Sequence, residues 1–301
     1  MTNRSGLEDY LSSQNIKYRT DEPLSAHCSF RIGGQADFFA LPTDTEELEA
    51  LVSFCRENLI RYRLVGRGTN LLFDDAGFRG LIISLSLLDT VRREGNEIVA
   101  LCGAQLSKVC LLASNEGLSG MEKLFGIPGS VGGAVYMNAG AYGSEIKDVC
   151  TSVTVLDGDG NTVTLSNADC DFSYRRSAFT GSGCGILSAR FALTPGDPAA
   201  IRSEMDEVIA KRVEKQPLDL PSAGSAFKRP EGSYASKLID ECGLKGLTVG
   251  GAQVSPKHAG FIVNIGGATS SDVRALSALV AEKVYAGTGY LLTPEPEYVE
   301  P

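Results

Sequence analysis

Several residue types are scarce in this chain of 301 residues, and each shortage excludes some functions. There is no tryptophan, and the only histidines are His27 and His258. A Ser-His-Asp triad would have to use one of these two. The eight cysteines form no C-x-x-C pair, so we expect neither a metal site nor a disulfide framework. We interpret the cysteines as small buried side chains in a reducing compartment.

Long apolar runs are also missing. The longest, residues 81–88, is broken by Ser84 and Ser86 and is far shorter than the ~20 residues that cross a bilayer. The N-terminal residues carry Glu8 and Asp9 and contain no apolar stretch of signal-peptide length. The net charge of −9 argues against nucleic-acid binding. We therefore expect a cytoplasmic monomer that binds neither membranes nor nucleic acids.

Helical and strand patterns alternate along the chain. A helix is predicted over Thr43–Asn58, where Thr43 and Glu46 have capping-box spacing. Its apolar residues repeat at helical spacing: Leu48, Leu51, Val52 and Cys55. Further helices are predicted over residues 105–116, from 198 onward, over 236–241 and over 271–285. Strands are predicted over residues 38–41, 62–65, 81–85, 98–101, 153–156, 162–165, 186–193, 261–265 and 289–299. This order predicts an α+β fold.

Two glycine-rich loops stand out. The first glycine loop, residues 66–70, follows a predicted strand, but Leu71 occupies the place of the third glycine in a dinucleotide-binding fingerprint. Alone it fits a tight turn as well as a ligand loop. The second glycine segment, residues 126–143, has six glycines among apolar neighbours. A linker would be polar, so this segment either packs as a buried turn or binds a cofactor. Two such loops in one chain favour the cofactor.

The segments RIGGQADFF, VGRGTNLLF and GIPGSVGGAVYMNAGAYG resemble the FAD-binding segments of the UDP-N-acetylenolpyruvoylglucosamine reductase family. The likeness continues in FSYRRSAF, PSAGSAFKRP and VSPKHAGFIVN, and the length suits the shorter, second type of this enzyme. The resemblance implies a vanillyl-alcohol-oxidase-type FAD-binding fold of two subdomains, expected over residues 1–92 and 93–196, and a C-terminal α+β substrate-binding domain over 197–301.

The resemblance also implies the reaction. NADPH would reduce FAD, and the flavin would reduce UDP-N-acetylglucosamine enolpyruvate, a step of peptidoglycan precursor synthesis. The FAD would be noncovalent, in agreement with the absence of His and Cys from both glycine loops. Two alternatives remain: another flavin oxidoreductase of this fold, and an inactive sugar-nucleotide-binding protein.

Three residues match the catalytic positions of the family. Arg175 would stabilise the negatively charged intermediate, and Ser225 would donate the proton. Without the resemblance, both would be ordinary loop residues. An ungapped match from Gly289 makes Glu295 the third catalytic residue. Because Pro296 and Glu297 stand where the family has Val-Arg, Glu297 stays open as an alternative.

The resemblance further implies two sets of binding residues. FAD would contact Arg67, Gly68, Thr69, Asn70, Leu71, Gly126, Ile127, Pro128, Gly129, Ser130, Gly132, Gly133, Ala134, Asn138, Gly140 and Ile186. The substrate would contact Tyr174, Lys215, Arg229, Tyr234, Lys237 and His258. Each of the second set could equally be a solvated surface residue, and His258 is better suited to a local hydrogen bond than to catalysis.

Overall fold

The structure, a computed structural model, describes residues 4–301, so the first three residues of the predicted 1–92 subdomain lie outside it. The helices in this range are α1 (Arg4–Ser13), α2 (Thr45–Glu57), α3 (Leu106–Asn115), α4 (Val131–Tyr136), α5 (Pro198–Lys215), α6 (Ala235–Glu241) and α7 (Ser270–Thr288). The strands are β1 (Lys17–Pro23), β2 (Gln35–Leu41), β3 (Tyr62–Val65), β4 (Leu71–Phe73), β5 (Phe78–Ser84), β6 (Val91–Glu94), β7 (Glu97–Leu101), β8 (Leu118–Ser119), β9 (Gly140–Ala141), β10 (Ser144–Glu145), β11 (Cys150–Leu156), β12 (Thr162–Ser166), β13 (Gly185–Ala192), β14 (Thr194–Pro195), β15 (Thr248–Val249), β16 (Ala252–Val254), β17 (Ile262–Asn264) and β18 (Glu297–Val299).

The chain forms two compact units. The first contains residues up to 19, 39–67 and 80–211, and the second contains residues 20–38, 68–79 and 212–301. The predicted boundaries at residues 92 and 196 are not tested by this division and stay predictions.

The first unit contains a five-stranded antiparallel sheet with the order β12-β11-β13-β7-β6. The strands predicted over residues 153–156 and 162–165 flank DGDGN, a turn sequence typical of a hairpin, and they form one: β11 pairs with β12 from Ser152↔Ser166 to Leu156↔Thr162. Helices α3 and α4 lie against β7, and α4 also contacts β13. The apolar face of this sheet buries Ile98, Val153, Val155, Ala189 and Phe191. That burial supplies most of the stabilisation here, because it removes large apolar surfaces from water.

A four-stranded sheet has the order β1-β2-β5-β3, and β3 runs parallel to β5. The helix predicted between its strands is α2, and all four predicted apolar residues of that helix are buried. The predicted cap at Thr43 is wrong. Asp44 is the N-cap and accepts from the Glu47 backbone N–H at 2.8 Å, while the Glu47 carboxylate accepts from the Thr43 N–H at 2.8 Å. Asp is as good a cap as Thr, so the sequence allowed either start.

The second unit contains the antiparallel sheet β15-β16-β17, against which α7 packs, and the parallel pair β4–β18. The strand predicted over residues 289–299 is wrong for its first eight residues, because only Glu297–Val299 forms a strand. Pro294 and Pro296 cannot donate backbone hydrogen bonds, which prevents a continuous ladder there.

The described residues also settle the state of the cysteines. All eight are free thiols. Six are buried as predicted, but Cys184 and Cys242 are only partly buried. Burial raises the pKa of the Cys55 thiol to about 12, so it stays protonated at neutral pH. Among residues 4–301, no helix is long and apolar enough to cross a membrane, and no cluster of side chains could hold a metal ion.

The N-terminus of α7 is capped twice. Thr269 and Asp272 form a capping box. Asp75, which follows β4, accepts from the Ser270 N–H at 2.7 Å and from the Ser271 N–H and hydroxyl at 3.1 and 3.0 Å. Burial alone would raise the pKa of Asp75, but these hydrogen bonds outweigh burial and leave its pKa below the usual value. The ionised carboxylate therefore stabilises α7.

We expect Asp75→Ala to lower the free energy of unfolding by about 1 kcal/mol at pH 7, as loss of a helix cap does. A carboxyl group with a lowered pKa in the folded state stabilises fully above its unfolded pKa, and that contribution is lost as the pH falls through the folded pKa. Urea unfolding at several pH values should therefore show a difference from the unsubstituted protein that shrinks below about pH 4. Asp9→Ala, on the exposed side of α1, is the control, and an equal loss there would contradict the capping role.

Candidate active site

The first glycine loop touches the second glycine segment within the first unit. A Cβ atom added at Gly66 would lie 2.2 Å from Ser130 Oγ, so a side chain at position 66 would force the Ser130 hydroxyl to move. The backbone at the end of β3 thus lies directly against the start of α4. This close approach brings together two segments predicted to bind the same cofactor.

The second glycine segment contains α4, a helix that the sequence pattern did not reveal. Ser130 is its N-cap, and the Val131 and Gly132 N–H groups donate to Ala104 O and Cys102 O at 2.8 Å each. The Gly129 and Ser130 N–H groups donate no hydrogen bond to any residue that the structure describes. Adjacent unbonded N–H groups suit phosphate oxygens, so this segment fits the pyrophosphate of FAD.

Glycine is required at two of the predicted cofactor positions. Gly129 has a φ of 143°, and Gly68 has a φ of 60°. A Cβ at Gly68, in the second unit, would also lie 2.3 Å from His27 O. Of the other predicted cofactor residues, Ile186 lies buried on β13, and Gly140 pairs with Glu145 between β9 and β10. Contacts of these residues with FAD stay predictions.

Arg175 lies in a tight turn, residues 173–176, which we call the arginine turn. Ser173 and Arg176 exchange backbone hydrogen bonds of 3.0 and 3.2 Å across it. Arg175 has a φ of 56°, and its guanidinium lies 5.1 Å from the centre of the Tyr174 ring. Tyr174 is 46% exposed. The turn therefore presents a cation and an aromatic ring, both predicted to meet the substrate, from one short segment of the first unit.

Ser225 lies in the second unit on a segment held at both neighbouring residues. It forms an isolated bridge with Phe261, and the Ala226 N–H donates to Gly260 O at 2.8 Å. Ser225 is half-buried, and its hydroxyl makes no hydrogen bond with residues 4–301. A fixed backbone with an unbonded hydroxyl is what a proton donor to a bound substrate requires.

Glu295 is adjacent to the Ser225 segment. Its N–H donates to Ala226 O at 3.0 Å, and Phe227 bridges Pro294. The Asn70 side-chain amide donates to Glu295 O at 3.4 Å. The Glu297 N–H instead donates to Asn70 O at 2.8 Å, in register with β4. The fold thus brings Ser225, Asn70 and Glu295 together in the second unit, although 225 residues separate Asn70 from Glu295.

A cluster that sequence reasoning missed anchors β18. The Tyr298 hydroxyl donates to Asp74, and Arg274 Nη1 donates to Tyr298 Oη at 3.1 Å with its guanidinium 4.4 Å from the ring centre. The three residues come from the end of β4, from α7 and from β18. Because the contact joins distant parts of the chain, no local pattern could have indicated it.

The predicted substrate residues of the second unit are only partly clustered. The Arg229 guanidinium lies 4.6 Å from the centre of the exposed Tyr234 ring. Lys237 pairs with Glu241 at 3.7 Å, and Lys215 is the last residue of α5. Neither lysine forms an ion pair with another predicted site residue among residues 4–301. Substrate contacts of all four residues stay predictions.

The predicted local hydrogen bond of His258 is present. Its Nδ1 accepts from the Gly260 N–H at 3.1 Å, and its ring meets Phe261 edge-on at 5.0 Å. Burial lowers the pKa of His258, in agreement with a neutral ring whose Nδ1 is an acceptor. This bond braces the loop beside Ser225.

Comparison with known families agrees with the sequence motifs. The family described as "UDP-N-acetylenolpyruvoylglucosamine reductase, C-terminal domain" matches residues 216–299, and "FAD binding domain" matches residues 36–166. The predicted FAD-binding fold of the vanillyl-alcohol-oxidase type is confirmed. A berberine bridge enzyme variant, 16% identical with a TM-score of 0.50 over 64% of this chain and 44% of its own, supports the fold alone.

Related proteins cover almost the whole chain. UDP-N-acetylenolpyruvoylglucosamine reductases from Clostridium novyi and Caldanaerobacter subterraneus are 45% and 46% identical over 92% and 94% of this chain, and over 90% and 94% of their own. The crystal structure of the enzyme from Thermus caldophilus is 34% identical and superimposes with a TM-score of 0.81 over 94% of this chain and 98% of its own. This chain therefore belongs to the UDP-N-acetylenolpyruvoylglucosamine reductase family.

Proposed function

We propose that this protein reduces the enolpyruvyl double bond of UDP-N-acetylglucosamine enolpyruvate to form UDP-N-acetylmuramate, with NADPH as the hydride source and FAD as the carrier. The observation that carries the proposal is that the Ser225 hydroxyl makes no hydrogen bond within residues 4–301, while the carbonyl of the next residue, Ala226, accepts from the Glu295 N–H. The reaction needs a proton as well as a hydride, and this hydroxyl would provide the proton from a rigid segment.

The two glycine segments would hold FAD, and when bound the flavin transfers a hydride between the two substrates. The N–H groups of Gly129 and Ser130 would bind its pyrophosphate, because glycine and serine are small enough to let phosphate oxygens come close to the backbone. The predicted domains at 1–92, 93–196 and 197–301 would divide these tasks between two flavin subdomains and a substrate domain. We propose that the enzyme acts as a monomer in the cytoplasm.

Arg175 would stabilise charge. Hydride addition to the terminal vinyl carbon puts an electron pair on the neighbouring carbon, and its carboxylate takes up that negative charge. A guanidinium can donate two parallel hydrogen bonds to this carboxylate, and these strengthen as the charge grows. The turn fixes the backbone of Arg175 before the substrate binds, and a charge partner placed in advance where the charge develops lowers the barrier.

Ser225 would then donate its hydroxyl proton to the carbon that bears the new electron pair. The carbon is strongly basic, so a weakly acidic hydroxyl suffices once it is correctly placed. Glu295 would carry a proton to or from this region, because its peptide is bonded to the residue after Ser225. The Glu297 peptide is bonded to Asn70 instead, and we therefore favour Glu295.

We expect Ser225→Ala to leave reduction of the flavin by NADPH nearly unchanged and to slow its reoxidation by the enolpyruvyl sugar nucleotide about 100- to 10,000-fold. Rapid mixing that follows flavin absorbance measures each half-reaction separately. Ser233→Ala, in the same unit, is the control. An unchanged reoxidation rate in Ser225→Ala would exclude this hydroxyl as the proton donor.

We expect Arg175→Ala to slow the same reoxidation step about 100- to 1,000-fold, because a preorganised charge partner is lost. Arg176→Ala is the matched control, since this neighbouring arginine is exposed at the end of the same turn. Both variants should keep their flavin and their rate of reduction by NADPH. Equal losses in the two variants would show that the turn as a whole, not Arg175, matters.

Glu295→Gln and Glu297→Gln distinguish the two candidate carboxylates. We expect reoxidation by substrate to be slowed about 100-fold or more in Glu295→Gln and less than threefold in Glu297→Gln. The amide keeps the size of the side chain and removes its ability to carry a proton. The reverse ranking would assign the role to Glu297.

A further inference from the structure

Asn138 is a buried polar residue whose side chain is fully engaged inside the protein. It is 1% exposed. Its two amide N–H groups donate to Glu145 Oε2 at 2.9 Å and to Ser173 O at 3.1 Å, and its Oδ1 accepts from the Lys147 N–H at 3.0 Å. Since both donors are used, the side chain holds protein groups together. One of these groups, the Ser173 carbonyl, belongs to the arginine turn.

The arginine turn needs such support because its conformation is unfavourable. Arg175 has a φ of 56°, in the left-handed region that side chains other than glycine, asparagine and aspartate rarely adopt. Residues held in this region persist where their surroundings fix them, and they concentrate at functional sites. Asn138 itself has a φ of 41°, a conformation that asparagine tolerates. The strain therefore lies in the turn at Arg175 and not in the residue that holds it.

A second group of hydrogen bonds ties the residues after the turn to the same end of α4. Ser177 Oγ and Thr180 Oγ1 both donate to Tyr136 O, at 2.8 and 3.4 Å. The Gly181 N–H donates to Tyr136 Oη at 3.4 Å. The chain on both sides of Arg175 is thus fastened to residues 136–138 of the second glycine segment.

Glu145 reinforces this arrangement. Its carboxylate pairs with Lys147 Nζ at 2.9 Å and accepts from Asn138. Burial alone would raise the pKa of Glu145, but the hydrogen bonds from Lys147 and Asn138 and the charges of Lys147 and Arg175 lower it. An ionised acceptor makes the bond from Asn138 stronger than a bond between neutral groups. It also attracts the Arg175 guanidinium.

We propose that Asn138 is a positioning residue for Arg175: its side chain, buried between Glu145 and Ser173 O, holds the arginine turn in the geometry that binds the substrate carboxylate. The inference rests on the proposed function for the role of Arg175. The second glycine segment then has two roles. Gly129 and Ser130, near its start, would contact the cofactor, and Asn138, near its end, would place the catalytic arginine.

The test compares the half-reactions of Asn138→Ala with those of the unsubstituted holoenzyme. Both side-chain N–H groups of Asn138 are bonded within the protein, so the FAD contact predicted for this residue would not use them. We therefore expect FAD content and reduction by NADPH to stay within twofold, and reoxidation by the enolpyruvyl sugar nucleotide to slow about 10- to 100-fold, the usual cost of a misplaced catalytic group. Asn167→Ala is the matched control. Asn167 also donates two side-chain hydrogen bonds, to Lys147 O at 2.9 Å and to Cys150 O at 2.7 Å, but it does not bond to the turn.

Double variants show whether Asn138 acts through Arg175. If it does, Asn138→Ala should slow reoxidation little further when it is combined with Arg175→Ala. Combined with Ser225→Ala, the fold-reductions in the reoxidation rate should multiply. Hydrogen exchange supplies a readout independent of turnover, since the Arg176 N–H, bonded to Ser173 O, should exchange faster in Asn138→Ala than in Asn167→Ala. A general loss of stability would not produce this pattern.

Asn138→Asp is a second variant in case the alanine variant does not fold. It keeps the size of the side chain and the acceptor for Lys147 N–H but loses both donors, so the same selective slowing is expected. Normal reoxidation, multiplicative losses with Arg175→Ala, or failure of both variants to fold would each overturn the positioning role. Failure of the unsubstituted enzyme to be reoxidised by the sugar nucleotide would overturn the proposed function instead, and hydrogen exchange would still test the link to the turn.

Discussion

The placement of Arg175, which we propose to be catalytic, depends on how α4 is held by backbone hydrogen bonds. The Val131 and Gly132 N–H groups donate to the carbonyls of Ala104 and Cys102, and the Ser130 hydroxyl caps the helix by accepting from the Gly133 N–H, so the start of α4 is fixed mainly by backbone groups. Close backbone contact of this kind requires glycine and other small residues, which explains the composition of the segment. These bonds fix the positions of two groups: the N–H groups of Gly129 and Ser130, just before α4, and the Asn138 side chain, just after it.

In the second unit the corresponding constraint is the parallel pairing of β4 with β18. It joins residues 71–73 to residues 297–299 and thereby sets Glu295 beside the Ser225 segment. Strands this far apart in sequence pair only after a large entropic cost of loop closure. The cluster of Asp74, Arg274 and Tyr298 helps to offset that cost, because it adds hydrogen bonds and a cation–π contact to a strand of only three residues.

Much of the fold could be predicted from local patterns, and the failures have physical reasons. The buried face of α2 follows from the spacing of Leu48, Leu51 and Val52, and the hairpin of β11 and β12 follows from its turn sequence. By contrast, α4 has only six residues and two of them are glycines, which disfavour helix, so packing decides its conformation. The proposed catalytic residues were found through motifs, whereas the hydrogen bonds of the Asn138 side chain could not be predicted, because its partners depend on tertiary structure.

The energetics of the arginine turn explain why one side chain could control it. Arg175 in the left-handed region costs about 1–3 kcal/mol. Asn138 contributes one hydrogen bond to the turn, at Ser173 O, and Ser177 and Thr180 contribute one each just after it. At about 0.5–1.5 kcal/mol per bond, these three supply roughly 1.5–4.5 kcal/mol, which is close to the cost. The turn is therefore held with little surplus, and we expect loss of the bond from Asn138 to release it while the apolar core of the first unit keeps the fold intact.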